Sequence, residues 1–300
     1  MKTGYFIINP HSGQQIIQSK LKEIIGQLIL DQFINRAECV YTKKDRTIDD
    51  VVDLKKIRKF DFIVAVGGDG TINQVVDYIA RHDIEVPLVI LGAGTVNDFA
   101  SFVKIPRTPG KIVKMIEDFH TIKSDIGKIN DSHFINVVAG GMFADVSYVT
   151  STSDKKILGP LSYTINAITN LQDHLSRLIP LKVKVDSQEF TVDARLFLIA
   201  NSKHIGGFNR MVPYASIQDG KLDLQILKNC NAVELVQFTT ELLLGNHVNT
   251  PKVEYYQGSC IEISSDVNDV FVDIDGEKGP QLPIKIEALK QKLTIIVPKE

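Results

Sequence analysis

The chain has 300 residues, of which 44% are hydrophobic and 23% charged, and its formal net charge is −2. That length suits two ordinary domains, and that charge argues against binding DNA, RNA or an anionic membrane through bulk electrostatics. Cys39, Cys230 and Cys260 are widely spaced and include no Cys-x-x-Cys pair, which argues against a disulfide framework or zinc site and predicts buried, reduced thiols.

The first strand, "GYFIIN", runs into Asn9-Pro10 too soon to serve as a secretory leader. A helix over "QQIIQSKLKEIIGQLI" follows, then a strand over "AECVYT" and a second helix over "TIDDVVDLKKIRKF" opened by acidic residues. "FIVAV" reads as a strand buried on both faces. Helical spacing resumes at Thr71, placed to cap, with Ile72, Val75, Val76 and Ile79 as the apolar stripe. "VPLVILG" is the next strand and "PGKIVKMIEDF" the next helix. Repeated β-α units predict a parallel sheet with helices on both faces and a site at the strand C-terminal ends.

From about Thr121 the pattern changes to strand-length runs punctuated by turns. "KSDIGKIN", "SHFINVVAG", "LKVKVDSQEF", "TVDARLFLIAN", "KLDLQILK", "SCIEISSD", "DVFVDIDG", "LPIKIEAL" and "KLTIIVP" predict an antiparallel β-sandwich. Helical insertions interrupt it around Gly159–Asp173 and Ala232–Leu244. The expected division is residues 1–122 and 123–300, with the last strands packing back on the first domain and a cleft between the two. No apolar run reaches the ~20 residues of a membrane-spanning helix, so the expectation is a soluble, cytoplasmic protein.

Three strand exits carry the residues that suit phosphate. "NPHSG" (Asn9, Pro10, His11, Ser12, Gly13) offers side-chain and backbone donors. "GGDGTIN" (Gly67, Gly68, Asp69, Gly70, Thr71, Ile72, Asn73) offers free backbone N–H groups at a helix start, the positive end of its dipole. "GAGTVNDFA" adds Thr95 and Asn97. Asp69 beside a phosphate site would be repelled unless a cation or a proton transfer needed it, and Mg²⁺ with phosphate is the simplest arrangement wanting both. No loop has the P-loop pattern, and Gly67 onward does not give Gly-x-Gly-x-x-Gly, so Walker-type and dinucleotide-binding readings are weak.

"NPHSG", "GGDGTIN" and "GTVNDFA" at this spacing resemble the diacylglycerol kinase catalytic family, which includes sphingosine and ceramide kinases. "ANSKHIGGFNRMVPYASIQDGKLDL", "DIGKIN" and "DIDGE" extend the resemblance from Ile7 to about Pro298. It implies an NAD kinase-like α/β domain that binds ATP and Mg²⁺, and a lipid-facing β-sandwich. It places Asp69 on the family's essential acid and Glu277 on the residue that activates the lipid hydroxyl. Thr42 and Thr95 fall on ATP contacts, and Asp125 joins Asp69 as a metal-directed acid. The turn from Ser216 to Lys221 falls on the loop that holds a structural Mg²⁺ through Asp219 and neighbouring oxygens. Gln218 replaces a second acid there, and Gln14 replaces a basic residue beside the first loop, which Lys155 or Lys156 would offset.

The implied function is ATP- and Mg²⁺-dependent phosphorylation of diacylglycerol or a related lipid to phosphatidic acid, with Glu277 as general base. The opposite assignment, with Asp69 as base, stands open. So do an NAD kinase-like small-molecule kinase and a non-catalytic nucleotide-binding regulator. Against the first stands Gly94-Thr95-Val96-Asn97-Asp98, where an Asn-Asn-Glu type contact is expected; against the second stands the presence of both acids. The acceptor would be reached by transient peripheral contact at the inner face of the membrane, with no nucleic-acid partner and a homodimer as a possible assembly. Lys155 and Lys156, beside the amphipathic stretch Leu161 to Leu171, are the candidate membrane patch, although core packing of that stretch is the plainer reading.

Overall fold

Strand and helix alternate through the first 120 residues as their apolar periodicity requires. The computed structural model describes residues 1–12, 16–43, 45–141 and 178–299. It divides into two compact units, Met1–Ser124 with Gln291–Glu300, and Asp125–Lys290.

The first unit contains β1 (Lys2–Ile8), α1 (Ile16–Leu30), β2 (Ile34–Tyr41), α2 (Ile48–Val51), α3 (Leu54–Ile57), β3 (Phe62–Gly67), α4 (Asp69–Arg81), β4 (Leu88–Gly92), α5 (Asp98–Phe102) and α6 (Pro109–Asp118). Its sheet runs β2-β1-β3-β4, all parallel, and the end of β15 (Ile284–Ile296) pairs beside β4 at Ile295 and Leu88. Phe6, Ile8, Val64, Val66 and Leu91 meet Leu21, Ile24 and Leu28 of α1 and Ile112, Val113 and Ile116 of α6. The alternate strand residues point the other way, and α4 packs on β3 and β4 with Ile72, Val75, Val76 and Ile79 buried. Every position of β3 is buried, as a strand covered on both faces demands.

Three local expectations fail for identifiable reasons. The helix expected over "TIDDVVDLKKIRKF" is two single turns. Val52 is extended, and Asp53 caps α3 by accepting from the amides of Lys55 and Lys56, so a good capping acid in mid-segment restarts the helix. Thr71 does not cap α4. Gly68 is the N-cap, and Thr71 lies inside the first turn. Cys39 is exposed rather than buried, because β2 is the edge strand and shows one face to solvent.

The second unit takes β5 (Thr121–Ile129) from Asp125 onward. It continues with β6 (Ser132–Phe134), β7 (Val137–Gly141), β8 (Ile179–Val185), β9 (Gln188–Ala200), β10 (Leu222–Lys228), α7 (Ala232–Leu244), a 3₁₀ turn at His247–Asn249, β11 (Val253–Gly258), β12 (Cys260–Ser265), β13 (Phe271–Ile274), β14 (Glu277–Gln281) and the first half of β15. The strand pairs registered within it are antiparallel. β9 is the organising strand. Its first half pairs with β8, while Leu196–Ala200 pairs with β7 on one side and with β10 on the other. That exchange of partners wraps the strands around Phe134, Val138, Val183, Phe197, Leu224 and Ile286, the expected sandwich.

The expected strands "LPIKIEAL" and "KLTIIVP" are the single strand β15. The helix expected at Ala232–Leu244 is α7, opened by a capping box of Asn231 and Glu234 and closed by Gly245 in the left-handed conformation. The helix expected around Gly159–Asp173, Lys155 and Lys156 lie outside the described residues.

Candidate active site

In the first unit the parallel register brings four loops to one sheet edge. Ile8 pairs with Tyr41 and with Val66, and Gly67 pairs with Gly92. Asn9, Thr42, Gly68 and Ala93 therefore leave their strands side by side. Asn9 reaches across to α4, its Nδ2 donating to Thr71 Oγ1 at 2.8 Å. Its Oδ1 accepts from the His11 amide at 3.0 Å, closing the turn at the half-buried Pro10. Ser12 Oγ accepts from the Gly68 amide at 3.3 Å. Gly13 and Gln14 lie outside the described residues.

The glycine turn of β3 and the loop after β4 touch through their backbones. A Cβ on Gly94 would sit 2.9 Å from Gly68 Cα, so nothing larger than glycine fits at that contact. Asn97, left-handed at φ 55°, closes its loop by accepting from the Gly94 amide and donating to the Gly94 carbonyl, both at 2.7 Å. Asp69 is the joint between these two loops. Its carboxylate accepts from the Asn97 amide at 3.0 Å and the Asp98 amide at 3.1 Å. Burial and the Asp98 charge raise its pKa, and the two amides oppose that rise.

Asp69, Gly70 and Thr71 occupy the first turn of α4, where backbone N–H groups have no partner within the helix. The Ile72 amide bonds to the Gly68 carbonyl and its side chain is in the core. Asn73 Oδ1 is a buried acceptor with no hydrogen-bond partner among the described residues. Thr95 is exposed, and Thr42, half-buried, donates its amide to the Ile8 carbonyl. A crowded glycine contact, first-turn N–H groups, an orphaned amide oxygen and the acids Asp69 and Asp98 suit a triphosphate with a hard divalent cation.

The second unit holds Asp125, the Ser216–Lys221 turn and Glu277. Asp125 is fully buried, and its Oδ2 accepts from the Gly220 amide at 2.6 Å. Its carboxylate thus pins that turn. Asp219 is exposed, and its Oδ1 accepts from the Lys221 amide at 3.0 Å. Ser216 Oγ stands 3.4 Å from the Gln218 amide. No group of three or more His, Cys, Asp or Glu side chains is arranged for a metal among the described residues. A cation at this turn would therefore rest on Asp219 with hydroxyl and backbone oxygens of Ser216 and Lys221, a hard-oxygen set that suits Mg²⁺. Asp223, which closes the "DGKLD" motif, is buried and accepts from Tyr255 Oη and Gln257 Nε2. Burial holds its pKa above the ordinary value.

Glu277 is exposed at the start of β14, across from Ile274 at the mouth of a two-residue hairpin turn. Both turn residues, Asp275 and Gly276, have positive φ, 49° and 88°, the requirement of a type I′ turn. Asp275 is buried, and Ile135, Asn136 and Val137 all donate backbone N–H groups to its carboxylate. The neighbouring Asn201 donates through Nδ2 to the carbonyls of Asp125 and Ile135, both at 2.8 Å. One buried polar frame therefore connects Asp125 and its turn with the Glu277 hairpin. Sequence reasoning missed Asp275, Asn136 and Asn201. The "DIDGE" motif carried the resemblance but not the three amides that Asp275 holds.

The diacylglycerol kinase catalytic domain model matches residues 3–129, and the YegS C-terminal NAD kinase beta sandwich-like domain model matches residues 136–297. A diacylglycerol kinase of Staphylococcus haemolyticus is 35% identical over all of this chain and 89% of its own length. One from Staphylococcus carnosus is 33% identical over all of this chain and 96% of its own. The crystal structure of a diacylglycerol kinase from Bacillus anthracis superposes with a TM-score of 0.78 at 25% identity, covering 99% of this chain and 97% of that one. A chain whose two halves match the two domain models, and whose full length aligns with these kinases, belongs to the diacylglycerol kinase family.

Proposed function

We propose that this chain transfers the γ-phosphoryl group of ATP to the hydroxyl of diacylglycerol or a closely related membrane lipid, giving phosphatidic acid or its analogue. The observation that carries the reading is the Asp69 carboxylate, held between two glycine loops at a parallel sheet edge by the amides of Asn97 and Asp98. An acid held there against burial and repulsion from Asp98 suits a site that handles a cation or a proton beside it. Mg²⁺, when bound, would neutralise charge on the phosphates and leave transfer mainly a matter of positioning.

The roles of the chain's own groups follow from their chemistry. The first-turn amides of α4, with Asn9 and Ser12, would hold phosphate oxygens; Thr42 and Thr95 would contact the nucleotide. Asn73 Oδ1 would accept from a water or hydroxyl of the bound complex. Glu277 would accept the proton of the acceptor hydroxyl as its oxygen bonds to phosphorus and the bond to ADP breaks. Asp219, Ser216 and Lys221 would hold a structural Mg²⁺ on the turn that Asp125 pins. Among the described residues no helix is long and apolar enough to cross a membrane, and the acceptor would be met by peripheral contact.

The test uses radiolabelled ATP and a lipid panel in mixed micelles, with NAD as a competing acceptor. Labelled phosphatidic acid is expected, and label on NAD alone would replace the reading with the small-molecule kinase. Asp69→Asn should abolish transfer without unfolding the chain. Glu277→Gln should lower kcat by about 10²–10⁴-fold, the usual worth of a general base, with ATP affinity unchanged. Wild-type turnover in either variant removes that residue from the mechanism.

A further inference from the structure

The proposed base raises a structural question. Glu277 is an exposed side chain on a five-residue strand at the end of its sheet, with β13 as its neighbour in the strand order. A general base must be held within hydrogen-bond reach of its proton, and an edge strand ending in a tight turn is a poor support. The rigidity has to come from the turn itself.

Asp275 supplies it. Its Oδ1 accepts from the Val137 amide at 2.7 Å and the Asn136 amide at 3.2 Å, and its Oδ2 accepts from the Ile135 amide at 2.9 Å. The Asp275 amide returns a bond to the Val137 carbonyl at 3.0 Å. Three successive N–H groups on one carboxylate form an anion nest, and bonds to an ionised acceptor are the stronger kind. The nest is itself anchored. Asn136 Nδ2 donates to the His204 carbonyl at 2.9 Å, Ser202 Oγ donates to Asn136 Oδ1 at 2.5 Å, and the Asn201 amide donates to the Asn136 carbonyl at 2.8 Å. Gly276 is fixed from inside the turn by donating to Asp273 Oδ1 at 2.8 Å. The hairpin tip is thus clamped to the entry of β7, two residues before Glu277.

We propose that Asp275 is the positioning residue for Glu277, its three-amide clamp fixing the hairpin tip so that the Glu277 carboxylate meets the acceptor hydroxyl. The inference rests on the reading of Glu277 as base. It gives Asp275 no contact with substrate.

The test is Asp275→Asn. Asn-Gly forms the same type I′ turn as readily as Asp-Gly, so the turn keeps its backbone preference. The amide replaces one acceptor oxygen with a donor that faces a backbone N–H, so the clamp keeps at most two of its three amides. Asp186 provides the control. It sits at φ 51° in the β8–β9 hairpin and accepts from the amides of Ser259 and Cys260 at 3.0 and 2.9 Å. Asp186→Asn should lower the melting temperature and leave kcat unchanged.

Asp275→Asn should lower kcat at least tenfold while KM for ATP stays within twofold. In a Glu277→Gln background the same change should cost less than a further twofold, because the group it positions is gone. Normal kcat in folded Asp275→Asn, or a full second loss in the Glu277→Gln background, overturns the proposal. Normal kcat in Glu277→Gln alone sinks the base assignment instead, and the two failures are told apart by that single variant. If Asp275→Asn does not fold, Asp275→Ser, which keeps one acceptor oxygen, carries the same comparison with the same outcomes.

Discussion

Asp69 is held by two amides and opposed by its own burial and by Asp98. The net effect is a folded-state pKa above that of the unfolded chain, so the protonated form is the one the fold favours. Such a group contributes stability below the unfolded carboxylate range, about pH 4, and that contribution is lost as pH rises through the raised folded value. The charged form therefore costs the fold more than the protonated one, a cost that a bound cation would offset. Asp98→Asn should move the Asp69 pKa down toward the ordinary value, read from its carboxyl ¹³C shift across a pH titration. An unmoved titration would leave burial as the whole cause. Asp69 itself was legible in the sequence, because an acid between glycines after a buried strand has few other uses. Asn97 was legible only as a polar residue at a strand exit. Its left-handed backbone and paired hydrogen bonds to Gly94 accompany a close approach to Gly68 of a loop distant in the chain. Asp275 was hidden for the same reason, its three donors lying about 140 residues earlier.

At the scale of elements, β3, α4, β4, α6 and α7 follow directly from apolar periodicity. The misread elements are those where a local signal competes with pairing. Asp53 splits one expected helix, and in β15 two apolar runs join because one strand continues across both. α7 shows what tertiary context adds to a helix that was legible. Its inner face, Leu235, Phe238 and Leu242, packs over fully buried His247, whose ring meets Phe238 edge-on at 5.8 Å. His247 Nε2 lies 2.8 Å from the Met211 carbonyl, and its Nδ1 is buried without a partner among the described residues. Burial depresses its pKa below the unfolded value. The stability tied to its neutral form is complete above the unfolded value of about 6.5 and is lost as pH falls below it. The wild-type melting temperature should fall between pH 7 and pH 5, and His247→Gln should show a shallower slope in the same range. Parallel slopes would show that other groups govern the acid limb.

At the scale of the molecule, the two units hold different candidate groups, and under the proposed function their stabilities should answer to different ligands. Mg²⁺ without nucleotide should raise the wild-type melting temperature if the Ser216–Lys221 turn holds it, since a ligand at about 100 times its Kd adds about 2.7 kcal/mol. Asp219→Ala should remove most of that rise, and excess EDTA should bring wild type down to the variant. A wild-type melting curve indifferent to Mg²⁺ would dismiss the structural cation. Charge at this scale says little, because a formal net charge of −2 neither steers nor repels a membrane. The chain path says more. The first unit is interrupted after Ser124 and resumes only at Gln291, where Leu293, Ile295, Ile296 and Val297 are buried and Ile295 pairs with Leu88. On the ribosome, the unit begun first is therefore finished last. Until the second unit has emerged, the nascent sheet has the edge of β4 without its β15 partner.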